Sequence, residues 1–389
     1  MVFEQGRVGE SWRSQRWDSF QLNSPNWANL LPGQAESAEP SDGFLGRDAW
    51  VSQLERYAAA ERLPVREATR IAALDRAPRS SGFRLRTDSD EEFEARSIVV
   101  ASGFQRVPKL PAIAAGLPGT ITSLHTSEYR RPDLLPAGAV LVVGSAQSGG
   151  QVAEDLLDAG RRVFVSASAV GRLPRRYRGR DIFEWLAAAR FFDQTVEQLA
   201  DPRMRFAAQP IVSGVGRFGH TLSLQLLAAR GAMLLGRLRS IQDGRLRFED
   251  DLAASMAFAD RGSAQIRELI ERAIREQGVA APPAEPDPAD EPFQNPEALT
   301  SPGELDPDAE RIGTVIWATG FGADLSWIKL PVTDETGAVL HDGGRAPVPG
   351  CWFVGMPWLR SRKSGIIMGA DTDGAAIADQ VAAHLAGPA

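Results

Sequence analysis

The sequence predicts an α/β protein with two nested, three-layer, Rossmann-like domains. Three observations predict it. Val140-Leu141-Val142-Val143, then Gly144-Ser145-Ala146-Gln147-Ser148-Gly149-Gly150, then Gln151 to Leu157, read as buried strand, small-residue turn and helix. Two further strands end in small residues, at Ala101-Ser102-Gly103 and Ala318-Thr319-Gly320, one on each side of that unit. The unit begins near residue 140, so something sizeable precedes it.

The other elements follow from local pattern. Met1-Val2-Phe3-Glu4 reads as the end of a strand that runs at once into loop. Trp12, Trp17 and Trp27 crowd the next stretch, a density that means packing or the lining of a flat ligand. Asp48 to Arg62 is an amphipathic helix, with Trp50, Leu54 and Tyr57 at helical spacing. Residues 66–100 alternate as strands, among them Phe83 to Thr87 and Phe93 to Arg96, and Ile98-Val99-Val100 is a short buried one. Arg162 to Ser166 is the second strand of the unit at 140. Residues 181–275 read as mostly helical, with a strand near 245–249. Residues 281–310 are rich in Pro, Asp and Glu and read as a mobile loop or lid. Thr314 to Trp317 and Cys351 to Gly355 are the last strands. A final helix runs from about Asp373 to Leu385, with Asp371 and Asp373 as N-caps.

Composition narrows the function. A chain of 389 residues suffices for two domains. A net charge of -7 argues against a general nucleic-acid binder. The one cysteine, Cys351, excludes an internal disulfide, a Cys-x-x-Cys redox pair and a Cys-rich zinc site. His125, His220, His341 and His384 are scattered without ligand spacing, so no metal is expected. No apolar run approaches the ~20 residues of a membrane span, and the first residues lack the apolar core of a signal peptide. The expected location is cytoplasmic.

The motif carries the chemistry. In Gly-x-Gly-x-x-Gly the glycines make the turn, admit a pyrophosphate and let helix meet strand. Those positions are Gly144, Ala146 and Gly149, so alanine replaces the central glycine. Ser145, Gln147 and Ser148 can donate to phosphate oxygens at the helix N-terminus. An NAD site usually ends its second strand in Asp or Glu. Here Ser166, Ala167 and Ser168 stand there, followed by Arg172, Arg175 and Arg176, which favours a 2′-phosphate and hence NADP.

With these pieces stand Gly9-Glu10-Ser11-Trp12-Arg13, Leu22-Asn23-Ser24-Pro25, Pro174 to Asp181 and Ser364 to Gly369. In order, and across nearly the whole chain, they resemble the flavin-dependent monooxygenases with two dinucleotide domains. These include flavin-containing monooxygenases, Baeyer–Villiger enzymes and the plant indole-pyruvate type; the similarity is greatest to their short bacterial relatives. The resemblance implies FAD and NADPH as cofactors, with molecular oxygen and a small-molecule substrate as partners. NADPH would reduce FAD, and a flavin peroxide would attack the substrate. Glu4 matches the acid that holds the FAD ribose, and Gly9 and Trp12 match the loop that passes the flavin. Asn23 matches an asparagine near the isoalloxazine and is the catalytic candidate, although beside Pro25 it also reads as a turn former. Ser102, Gly103, Thr319 and Gly320 are the strand endings near the cofactors, and Gly369 would face the flavin pyrimidine edge.

In that family a Gly-x-Gly-x-x-Gly precedes the position of Glu4, and this sequence has none there. The FAD-type domain is therefore expected at residues 1–136 and 311–389, without its first strand, phosphate turn and helix. The NADP-type domain is expected at 137–310, including the loop 281–310. Pocket residues are expected from 181–235 and 356–366. A homodimer is left open. The competing reading is a non-catalytic protein that binds NADP(H) only.

Overall fold

Five parallel strands form the central sheet, and their sequences explain why. The computed structural model describes residues 1–389 apart from 36–39, 79–81, 207–209, 212–213, 215–218, 296–298, 300 and 388–389. The first third holds β1 (Val2–Phe3), α1 (Glu10–Ser14), α2 (Arg47–Ala60), β2 (Val65–Arg66), β3 (Ile71–Arg76), β4 (Phe83–Thr87), β5 (Glu92–Ala95), β6 (Ile98–Val100), β7 (Val107–Pro108) and β8 (Thr122–His125). The middle holds β9 (Ala139–Val143), α3 (Gln147–Asp158), β10 (Val163–Ser166), β11 (Arg176–Tyr177), β12 (Arg180–Asp181), α4 (Ile182–Ala188), α5 (Leu224–Ala229), β13 (Met233–Leu235), β14 (Leu238–Gln242), β15 (Arg245–Phe248) and α6 (Leu252–Gln277). The chain closes with β16 (Glu304–Leu305), β17 (Ile312–Trp317), β18 (Phe321–Gly322), β19 (Cys351–Phe353) and α7 (Ala370–Ala386).

The central sheet runs β13-β10-β9-β17-β8. Every residue of β9 and β10 is buried, as a strand covered on both faces requires. Side chains alternate between the faces. Val140 and Val142 pack under α3 with Val152, Ala153 and Leu156. Leu141 and Val143 pack on the other side against Phe164, Trp317 and the hairpin residues Leu246 and Phe248. Trp17, Phe20, Leu22 and Trp50 from the first third join the α3 side, so the two halves share a core.

The other half is built from smaller sheets. β3, β4 and β5 form an antiparallel meander. β1 pairs with β2 and β6 with β19, each in parallel. β6, β19 and the meander share an apolar cluster with Phe3 against it. An antiparallel ribbon, β7 with β18, carries the chain between the halves. Among the described residues no helix is long and apolar enough to cross a membrane.

β8 and β17, which lie outside residues 137–310, pair into the sheet of β9 and β10. Three expectations change. Residues 233–248 hold three strands rather than helix: β13 joins the sheet beside β10 with Leu234 on the α3 side, while Leu235, Leu238, Ile241, Leu246 and Phe248 pack on its other face. The acidic segment is not a free lid where described: Asp290 is buried against Arg172 and Arg267, and Asp287 accepts from Thr221 Oγ1 at 2.5 Å. α7 starts three residues early, with Gly369 at its N-cap and Asp371 and Asp373 in its first turn.

Candidate functional site

The turn between β9 and α3 is shaped by contact distances. Gly144 has φ 106°, and a Cβ there would stand 2.6 Å from the Ala318 carbonyl oxygen. A Cβ on Gly149 would stand 2.0 Å from the Gly144 carbonyl oxygen. Both positions therefore need glycine. Ala146 precedes the helix at φ -75°, ψ -174°, extended backbone that any residue adopts. That accounts for alanine at the central position without strain. The first turn of α3 carries no acid, and its unbonded N–H groups form the positive end of a twelve-residue helix. Gln147 and Ser148 sit half-buried in that turn. Such an end holds a pyrophosphate.

The hydroxyls and arginines beside the turn have other partners. Ser145 is buried, and its Oγ accepts the Ser168 N–H at 3.1 Å. Ser166 Oγ donates to the Gly236 carbonyl at 3.0 Å and accepts the Leu238 N–H at 2.9 Å. Both serines therefore fasten strand ends rather than present hydroxyls outward. Arg172 is buried between Asp260 and Asp290. Arg175 is fully buried; its Nε and Nη2 meet Asp181 at 2.8 and 2.7 Å, and its Cζ lies 4.2 Å from the Phe44 ring. Of the three arginines assigned to a 2′-phosphate, only Arg176 is exposed. It borders a charged cleft with Tyr177, Arg267 and Asp287 that contains no residue of the glycine turn.

The flavin-side candidates divide in the same way. Glu4, at the end of β1, accepts the Gly6 N–H at 2.9 Å. Gly9 starts α1 with φ 75°, a left-handed conformation suited to glycine. Trp12 is committed to packing, 5.8 Å from Phe20 and 6.2 Å from Trp50 between ring centroids. Ser102 is exposed, and Gly103 (φ 72°) and Gly320 (φ 81°) have open space where a Cβ would stand. The Thr319 hydroxyl donates to the Lys109 carbonyl, which ties β17 to the linking ribbon. Gly369 is buried; its Cβ would stand 2.1 Å from the Lys363 carbonyl oxygen, so glycine closes the turn before α7.

Asn23 lies where the halves meet. Its Oδ1 accepts from Gln151 Nε2 on α3 at 3.0 Å, and its carbonyl accepts from Arg175 Nη1 at 2.7 Å. Three residues there escaped the sequence reading: Gln151, Asp181 and His125. His125 is the last residue of β8; its Nε2 meets the Gly320 carbonyl at 3.0 Å and its ring stands edge-on to Phe321 at 4.8 Å. Burial lowers its pKa. Asp181, six residues after Arg175, was the one with a visible signal, an acid close to a run of arginines. Gln151 and His125 act through partners more than a hundred residues away.

Residues 1–189 match the family described as pyridine nucleotide-disulphide oxidoreductase. An uncharacterized oxidoreductase, CzcO-like, from Geobacillus kaustophilus is 27% identical over 99% of this chain and 91% of its own length. The indole-3-pyruvate monooxygenase YUCCA1 of Oryza sativa is 29% identical over 62% of this chain and 60% of its own. A double mutant of a flavin monooxygenase from Stenotrophomonas maltophilia has the same fold, with a TM-score of 0.62 at 17% identity over 99% of this chain and 98% of that one.

Proposed function

We propose that this chain, an oxidoreductase of the flavin-dependent monooxygenase-like superfamily, binds FAD and NADPH and passes one oxygen atom of O2 to a small organic substrate. The observation that carries the reading is the turn Gly144 to Gly149, closed on Ala318 and opening onto the N-terminus of α3. In this reading the N–H groups of that turn hold the NADPH pyrophosphate. Glu4, Gly9, Ser102 and Gly103 are the residues available to FAD, while Gly369 shapes the turn before α7. Bound FAD supplies the redox and oxygen chemistry, so few side chains need act as acid or base. Asn23 then positions: held by Gln151 and Arg175, it fixes the loop of the first half against α3.

The thiol route is disfavoured by the protein itself. Cys351 is the only cysteine, lies buried in β19, and burial pushes its thiol up to about 11. Such a thiol is a poor nucleophile at neutral pH and has no second cysteine to pair with.

The test is direct. Protein purified with added FAD should retain flavin absorbance near stoichiometry and consume O2 with NADPH. Tight NADPH binding with no retained flavin and no O2 consumption would establish the competing NADP(H)-only reading instead.

A further inference from the structure

The acids and the bases of one cleft come from different parts of the chain. The cleft has a volume of about 260 Å³, and its walls supply Arg176 and Tyr177 from β11 and Arg267 from α6. Among the described residues every acid that lines it, Glu285, Asp287, Asp290 and Glu291, sits on the segment 284–291. No residue of 281–295 belongs to a helix or a strand. An acidic strap thus lies along a basic wall.

Asp290 makes the central contact. Its carboxylate accepts from Arg172 Nη1, Arg267 Nη2 and Ser263 Oγ, and its carbonyl accepts from Arg172 Nη2 and from Arg267 Nη2 at 3.1 Å. Arg172 is 1% exposed and Arg267 32% exposed, while Arg176 in the same cleft is exposed. Two guanidinium groups and a hydroxyl that converge on acid oxygens are the donors a phosphate also takes. The acids of the wall itself are engaged elsewhere: Asp260 with Arg172 and Gln225, and Glu271 with Tyr177 and Arg178.

The strap is built to yield in its middle. Its packed residues, Ala281 and Phe293, stand near its two ends. Between them it has no ladder or helix bonds to break, and its side-chain tie besides Asp290 is Asp287, which accepts from Thr221 Oγ1. Leaving Arg172 and Arg267 without an acid would be strongly unfavourable. Exchange of one anion for another keeps the same donors satisfied and avoids that cost.

We propose that Arg172, Arg267 and Ser263 form a phosphate-monoester site that Asp290 fills in the ligand-free protein, and that an incoming phosphate displaces the strap 284–291. The phosphate is either the 2′-phosphate of NADPH or that of a free metabolite. Only the first source rests on the function proposed above.

Full-length protein is titrated with inorganic phosphate, NADP+ and NAD+ at constant ionic strength, and hydrogen exchange of residues 281–295 is followed by mass spectrometry. Release of the strap should speed that exchange. Faster exchange with NADP+ but not NAD+ identifies the cofactor as the source; faster exchange with inorganic phosphate but neither nucleotide identifies a free phosphate monoester. Asp290→Asn removes the competing charge and should bind phosphate at least about tenfold tighter than wild type. Adding Arg267→Gln should cancel that gain. Exchange unchanged by both phosphate and NADP+ overturns the proposal, as does equal phosphate affinity in wild type and Asp290→Asn. Equal effects of NADP+ and NAD+ would trace the release to the pyrophosphate they share and overturn it too. A preparation that retains no flavin and consumes no O2, yet releases the strap to phosphate, would sink the oxygenase reading and leave this site standing.

Discussion

A methyl group on Gly149 has nowhere to go, because backbone rather than a flexible side chain faces it. Gly149→Ala must push α3 off β9. It should weaken NADPH binding by at least about tenfold, a loss of ~1.4 kcal/mol, and lower Tm. Ala146→Gly should alter NADPH affinity little, since the residue is already extended. Calorimetric titration of both variants checks the pair. This turn was legible in the sequence because only glycine satisfies its geometry. The arginines were not. A cation after a strand looks the same whether it meets a phosphate or an internal acid, and Asp290, the partner of Arg172, lies 118 residues away.

His220 makes a second prediction at this scale. Its Nε2 meets the buried Glu154 at 2.6 Å, and this hydrogen bond raises the histidine pKa; burial and, less, Arg230 oppose the shift. The folded pKa lies above the unfolded one. The stabilisation is therefore complete below the unfolded value of about 6.5 and fades as pH rises through the folded value. His125 and His341 have lowered pKa values and contribute in the opposite sense, losing stability as pH falls. The difference in Tm between wild type and His220→Gln isolates the first effect. It should shrink between about pH 6 and about pH 8; a constant gap would remove the His220 pair as the cause.

At the scale of elements, the acidic segment behaves as a strap rather than a lid. Asp290 is buried and gathers Arg172, Arg267 and Ser263 Oγ, while Arg172 also holds Asp260 on α6. Asp290→Ala leaves Arg172 buried with half its compensation gone, and should cost about 3–5 kcal/mol. Asp287→Ala, which removes an acceptor from Thr221, should cost less, since the hydroxyl can turn elsewhere. Urea unfolding of the two variants checks the order. Composition misled here because Pro, Asp and Glu suggest a solvated loop, and no local pattern says that one of the acids is internal. The strands at 233–248 were hidden for a related reason. Their apolar residues fit helical spacing as well as strand alternation, and only the face they cover decides between the two.

At the scale of the whole molecule, the question is how two halves linked by a short ribbon stay in register. The helix α3 is the shared surface. Asp155 accepts from Tyr129 Oη at 2.5 Å and Ser19 Oγ at 2.7 Å, and Gln151 donates to Asn23. Arg175 completes the set, since Asp181 fixes its guanidinium while Nη1 reaches the Asn23 carbonyl. The order of elements was legible in the sequence, but the pairing of β8 and β17 was not. β8 and β17 flank the ribbon, and their membership depends on pairing with β9. If this surface couples the halves, they should unfold as one unit. Calorimetry of the wild type should show a single transition. Asp181→Ala, which strands the buried Arg175 charge, should cost about 3–5 kcal/mol and split that transition in two. Asn23→Ala and Gln151→Ala should each act mildly and combine non-additively by about 0.5–3 kcal/mol, as contacting residues do. Strict additivity of those two, with an unsplit transition in Asp181→Ala, would mean that the ribbon and the apolar packing of Trp17, Phe20 and Leu22 hold the halves together without the polar set.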